Sequence, residues 1–115
     1  MIWTTYCGVC KDQFPLLEAF HNAHQSTDAV VVGIALDGYD HIDKITAHIA
    51  ENAISFPNFV GELPQISPSV EEATGERFDG TPTYLLFNAE GAIMAFKVGP
   101  IRVGEIERFI KENPS

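Results

Sequence analysis

Residues Ala29 to Leu36 form an unbroken apolar run, Ala-Val-Val-Val-Gly-Ile-Ala-Leu, closed off by Asp28 and by Asp37-Gly38. A run of that length, rich in β-branched side chains, suits a strand buried on both faces, and such strands are usually parallel to a neighbour. Parallel strands need a long crossover, commonly a helix. The chain provides one: from Gly8 to about His24 the apolar positions Cys10, Phe14, Leu17 and Phe20 or His21 recur at helical spacing. Before it, Met1 to Thr5 reads as the end of another strand running straight into Cys7. A strand, a helix and a buried strand in that order predict a βαβ unit, so the chain belongs to the α/β class.

The rest of the chain adds to this unit. Pro15 removes one helical amide and predicts a kink in the first helix. Ile42, Ile45 and Ile49, between Asp40 and Asn52, give a second amphipathic helix. Phe56 to Pro68 holds three prolines and is expected to be mostly irregular. Ser67 then serves as an N-cap with Pro68 at the first position of a helix ending near Gly75. Thr83–Phe87 and Ile93–Val98 flank Asn88-Ala89-Glu90-Gly91 as a hairpin, and Val103, Ile106, Phe109 and Ile110 mark a last helix. The predicted order is β-α-β-α-α-β-β-α, a mixed sheet with helices on both faces and the first strand in the middle.

The chain has 115 residues, enough to bury roughly two thirds of the surface its unfolded form exposes, so residues 1–115 are expected to form a single domain. The net charge is −9, and no basic stripe occurs, which argues against nucleic acid or an anionic membrane as partner. No apolar stretch approaches the length of a spanning helix, and the first residues lack the features of a secretory signal. Membrane contact is expected only through an anchor outside this sequence.

The two cysteines of the chain are Cys7 and Cys10, in the stretch Cys7-Gly8-Val9-Cys10. A pair at this spacing in the first helical turn can close a small disulfide ring. The first cysteine then sits where free amides and the positive end of the helix dipole favour a thiolate. Thiolates at such sites have pKa values of about 3.5–7.5 against about 8.5 for a free thiol, so Cys7 reads as the nucleophile. Cys10, one turn in, reads as the more buried resolving thiol. A zinc knuckle would need two further ligands, and His21 and His24 lie some three turns or more down the helix from Cys10. Haem attachment would need His after the second cysteine, and Lys11 stands there. No metal or other cofactor is therefore expected. The four histidines, His21, His24, His41 and His48, are read as surface or ordinary helix positions.

A further motif, Gly80-Thr81-Pro82-Thr83, leads into the hairpin. With Trp3-Thr4-Thr5-Tyr6-Cys7-Gly8-Val9-Cys10, Pro15, Asn88-Ala89-Glu90-Gly91 and Val98-Gly99-Pro100, it resembles the thioredoxin superfamily, and within it the TlpA/ResA/DsbE-like thiol-disulfide oxidoreductases. Val31 to Phe59 is similar to the central helical insertion of the TlpA branch. Relative to the family the N-terminal strand is truncated, since Met1 stands only two residues before Trp3. Tyr6 takes the place of the usual tryptophan, and Gly8-Val9 lacks the usual proline. The resemblance implies a thioredoxin-like fold with a cis-proline at Pro82 beside the redox-active Cys7–Cys10 disulfide. It implies Thr81 offering its backbone to an extended substrate segment, and Trp3 and Tyr6 flanking the site, either in direct substrate contact or as core and rim packing. It also implies a protein-disulfide reductase outside the cytoplasm, periplasmic in the manner of the family, served by an upstream redox partner protein. A buried acid that accepts the Cys10 proton is usual in the family; neither Asp37 nor Asp40 falls in its place. The alternative reading is a non-catalytic thioredoxin-like binding module.

Overall fold

The computed structural model describes residues 1–113; the expected domain end at Ser115 lies outside them. The elements are β1 (Ile2–Trp3), α1 (Gly8–His24), β2 (Gly33–Ala35), a 3-10 turn (Tyr39–His41), α2 (Ile42–Glu51), β3 (Asn58–Val60), α3 (Leu63–Thr74), β4 (Thr83–Phe87), β5 (Ile93–Val98) and α4 (Glu105–Glu112). The strands form one sheet in the order β3-β2-β1-β4-β5, with the first strand in the centre. β1–β2 and β2–β3 are parallel, β1–β4 and β4–β5 antiparallel. Among the described residues no helix is long and apolar enough to cross a membrane.

The first helix has the expected bounds, and its expected inner positions Cys10, Phe14, Leu17, Phe20 and His21 are all buried. The hairpin strands also fall where they were expected, and the turn between them is tied by Asn88, whose Oδ1 accepts from Glu90 N and Ala92 N. Three expectations need correction. The apolar run 29–36 is a strand only over Gly33–Ala35, with Val30 62% and Val32 39% exposed. The physical reason is the short neighbour: β1 spans two residues and pairs with β4 only at Ile2 and Thr83. Val30 and Val32 therefore line an open groove of about 790 Å³ shared with Leu86, Ala95, Ile106 and Phe109.

The proline-rich segment is more regular than its composition suggests. It contains β3, which completes the sheet edge, and α3 begins at Leu63 rather than after Ser67. Glu62 is the N-cap residue, and its carbonyl accepts from Gln65 N (3.0 Å) and Ile66 N (2.9 Å). Pro64 occupies the first turn, where no amide is needed, and Pro68 is carried inside the helix at the loss of one backbone bond. Gly75 closes it in the left-handed conformation at φ 76°, as the expected end requires. Val103, expected on the last helix, precedes it and is 84% exposed. Of the four histidines, two take inward helix positions, within the expected range of surface or ordinary helix sites. His21 is buried and its Nδ1 accepts from Val31 N (3.0 Å), while His48 stacks on Trp3 with ring centroids 5.5 Å apart.

Trp3 lies at the middle of the core. It is fully buried, meets Phe14 edge-on at 5.1 Å and donates from Nε1 to Asn58 Oδ1 at 2.9 Å. Gly33 lies under that hydrogen bond; a Cβ there would overlap the Asn58 amide, so only glycine lets β1, β2 and β3 come together at this point.

A polar clamp joins α1 to the segment before β3. The Glu18 carboxylate accepts from Ser55 N (2.6 Å), Ser55 Oγ (2.8 Å) and Phe56 N (3.2 Å), with Asn22 Nδ2 at 3.4 Å. Desolvation works against its charge, but these hydrogen bonds outweigh it and hold the carboxyl below its usual range. A carboxyl with a depressed folded pKa adds stability above its unfolded pKa and loses it as pH falls through the folded value. Glu18→Gln is therefore expected to lower the unfolding midpoint at neutral pH, with the difference from wild type vanishing in the acid range. Urea titrations at several pH values check this; a difference independent of pH would remove the charge from the account.

Candidate active site

Sequence dictates the site at the junction of β1 and α1. β1 ends at Trp3, the chain turns through Thr4–Tyr6, and Cys7 takes the N-cap of α1 in an extended conformation, φ −94° and ψ 105°. Its Sγ accepts from Cys10 N at 3.1 Å, as an N-cap side chain does. Cys7 and Cys10 are joined as a disulfide with Cα atoms 5.2 Å apart. Cys7 is half-buried, whereas Cys10 is wholly buried in the core cluster with Trp3 and Phe14. The first sulfur is thus the one open to approach, with exposed Gly8 and Val9 beside it.

The fold brings Gly80-Thr81-Pro82 to the same junction. Ile2 faces Thr83 in an antiparallel pair, so the residues before Thr83 run toward the end of β1, where the chain turns to Cys7. The Thr81–Pro82 bond is cis, and Pro82 is buried. Pro82 O accepts from Gly99 N (2.8 Å) and Thr83 Oγ1 donates to Gly80 O, which fix the loop on both sides. Among the described residues the Thr81 N–H and C=O have no hydrogen-bond partner. Tyr6 stands out at the rim, 80% exposed. Of the two readings of Trp3, core packing holds: a fully buried ring cannot meet a substrate, and it lies in the same core cluster as Cys10.

Two residues to which the sequence assigned no role complete the surroundings. Gln13, one of the few buried polar residues, reaches from α1 to the loop before α4: Nε2 donates to Ile101 O (3.1 Å), and Oε1 accepts from Ile101 N (2.8 Å) and Tyr84 Oη (2.7 Å). Its position on the apolar face of α1 was the available signal. Asp37, at the end of β2, accepts from Thr5 N (3.0 Å) and Thr5 Oγ1 (2.5 Å). A pair thirty-two residues apart carries no local pattern that announces it. Among the described residues no group of three or more His, Cys, Asp or Glu side chains is arranged to hold a metal.

A central first strand in a five-stranded mixed sheet and a cysteine pair at the start of the following helix are features of a thioredoxin-like fold. The chain's similarities lie with thiol-disulfide oxidoreductases. No family model matches the chain. The chain is 24% identical over 111 residues to sporulation thiol-disulfide oxidoreductase A of Bacillus subtilis, covering 96% of this chain and 64% of that protein. It thus spans under two thirds of that relative's length. Among solved structures, a thioredoxin-family thiol:disulfide interchange protein from Chlorobium tepidum superposes with a TM-score of 0.82 at 20% identity, over 96% of this chain and 74% of that one. StoA from Bacillus subtilis gives 0.75 at 22% identity, over 94% and 77%.

Proposed function

We propose that this domain is a thiol-disulfide oxidoreductase that reduces disulfides in protein substrates. The observation that carries the reading is the asymmetry of the pair: Cys7 is accessible at a helix N-cap and Cys10 is buried one turn in. In the reduced enzyme, the Cys7 thiolate attacks one sulfur of a substrate disulfide, forming a mixed disulfide and releasing the other substrate sulfur as a thiolate. The Cys10 thiolate then attacks Cys7 Sγ, releasing the reduced substrate and leaving the Cys7–Cys10 disulfide. Two electrons pass to the substrate. An upstream dithiol partner protein returns them.

Thr81, with its backbone groups unpaired beside the start of α1, offers an extended substrate segment a short strand-like docking edge. Tyr6 forms the exposed rim of that surface, while Pro82, expected to touch substrate, is buried and shapes the loop from behind. The reading places the domain outside the cytoplasm, where protein disulfides form and persist. Equilibrium titration of the pair against glutathione or dithiothreitol, followed by alkylation and mass, tests it. A reversible two-electron transition near about −270 mV is expected of a reductase, and one near about −120 mV would make the protein an oxidant. Two thiols that stay inert would leave a binding module.

A further inference from the structure

The Cys7–Cys10 disulfide itself holds the active-site turn in the oxidised state, and reduction removes that tie. What then fixes Cys7 is the turn Thr4–Cys7, whose own backbone bond, Cys7 N to Thr4 O, is 3.3 Å long. A helix N-cap favours a thiolate only while the sulfur stays over the amides of the first turn, here Cys10 N at 3.1 Å. The reduced site therefore needs a clamp from outside the turn.

Asp37 is built as one. Its Oδ1 takes the Thr5 N–H and its Oδ2 the Thr5 hydroxyl, so both polar hydrogens of the residue two before Cys7 go to a single side chain. Its own mounting is rigid. Leu36 N donates to Trp3 O at 2.8 Å, tying the preceding residue into the central sheet. Gly38 is buried at φ 89°, its carbonyl accepts from His41 N, and Tyr39 N donates to Glu62 Oε1 at 2.8 Å. We propose that Asp37 is the positioning residue of the active-site turn, holding Cys7 at the N-cap of α1 when the disulfide is open. The proposal rests on the thiol-disulfide reading for its purpose, though not for its test.

Charge and position act in opposite directions, which makes the role separable. A carboxylate near a thiolate disfavours it, so loss of the charge alone increases the thiolate fraction. Loss of the clamp lets the sulfur leave the helix amides and decreases it. Asparagine keeps acceptor and donor atoms for Thr5 N–H and Oγ1 while dropping the charge.

The experiment is alkylation of Cys7 by iodoacetamide at neutral pH in the reduced full chain, located by mass, for wild type, Asp37→Ala, Asp37→Asn and Thr5→Val. Asp37→Ala is expected to slow alkylation roughly three- to tenfold, since tenfold is one pKa unit near neutrality. Thr5→Val is expected to slow it in the same direction, and Asp37→Asn to match or exceed wild type. The glutathione equilibrium of Asp37→Ala should move severalfold toward the disulfide, because a less stable thiolate makes the dithiol less favoured. Asp37→Ala reacting as fast as wild type overturns the proposal, as does Asp37→Asn reacting as slowly as Asp37→Ala. If circular dichroism shows Asp37→Ala unfolded, Thr5→Val against Thr5→Ser decides: serine keeps both donors, and equal rates for the two overturn the clamp. Alkylation uses no disulfide substrate. A protein inert toward disulfides but showing this order loses only the exchange reading, and an active one lacking it loses only the role of Asp37.

Discussion

Serine in place of Cys7 is expected to abolish disulfide exchange, while serine in place of Cys10 leaves the first half of the reaction intact and stalls the second. The reason is the division of labour between a sulfur that is half-exposed and one that is wholly buried. Without Cys7 no accessible nucleophile remains, and turnover of a model protein disulfide should fall on the order of a thousandfold or more. Without Cys10 the mixed disulfide has no internal resolving thiol. It should accumulate as a covalent adduct visible on a non-reducing gel and released by dithiothreitol. Absence of any adduct in Cys10→Ser, under conditions where the wild type turns over, would overturn the assigned order of attack.

Leucine in place of Gln13 is expected to cost about 2–4 kcal/mol, from three hydrogen bonds that leave buried partners behind. The Ile101 N–H and C=O belong to a buried residue whose two backbone bonds to the amide are themselves buried, so removal of the amide leaves both unpaired. The third partner, the Tyr84 hydroxyl, stays protonated: desolvation, with the Glu105 charge added, raises its pKa well above the usual phenol range. It therefore remains a donor and is stranded with the others. Set against a total of roughly 5–15 kcal/mol for a domain, the loss is severe. The urea midpoint should fall with little change in slope. A loss below about 1 kcal/mol would show that Ile101 and Tyr84 find water instead.

Residues near one another in the chain were legible because the code for them is local. Helical spacing over Cys10, Phe14 and Leu17 marked α1 and its inner face, two apolar runs around a turn marked the hairpin, and the spacing of Cys7 and Cys10 marked the redox pair. Three prolines in Phe56–Pro68 misled, since a proline in the first turn of a helix costs nothing and a three-residue edge strand carries almost no periodicity. The valines of 30–32 misled in the other direction. Their apolar character signals burial, but burial depends on the length of the adjacent strand, which is a property of the assembled sheet.

What the sequence determined by itself was therefore the α/β class, the central place of the first strand and the position of the cysteine pair at a helix N-terminus. Each follows from residue type and spacing within one or two turns or strands. The tertiary structure alone decided that Trp3 is core and Tyr6 is rim, that Thr81 stands with its backbone groups unpaired at the end of β1, and that Gln13 and Asp37 hold the site's walls. Those facts depend on contacts between residues 32 to 88 positions apart, whose pairing is set by the register of the sheet and the packing of α1 upon it.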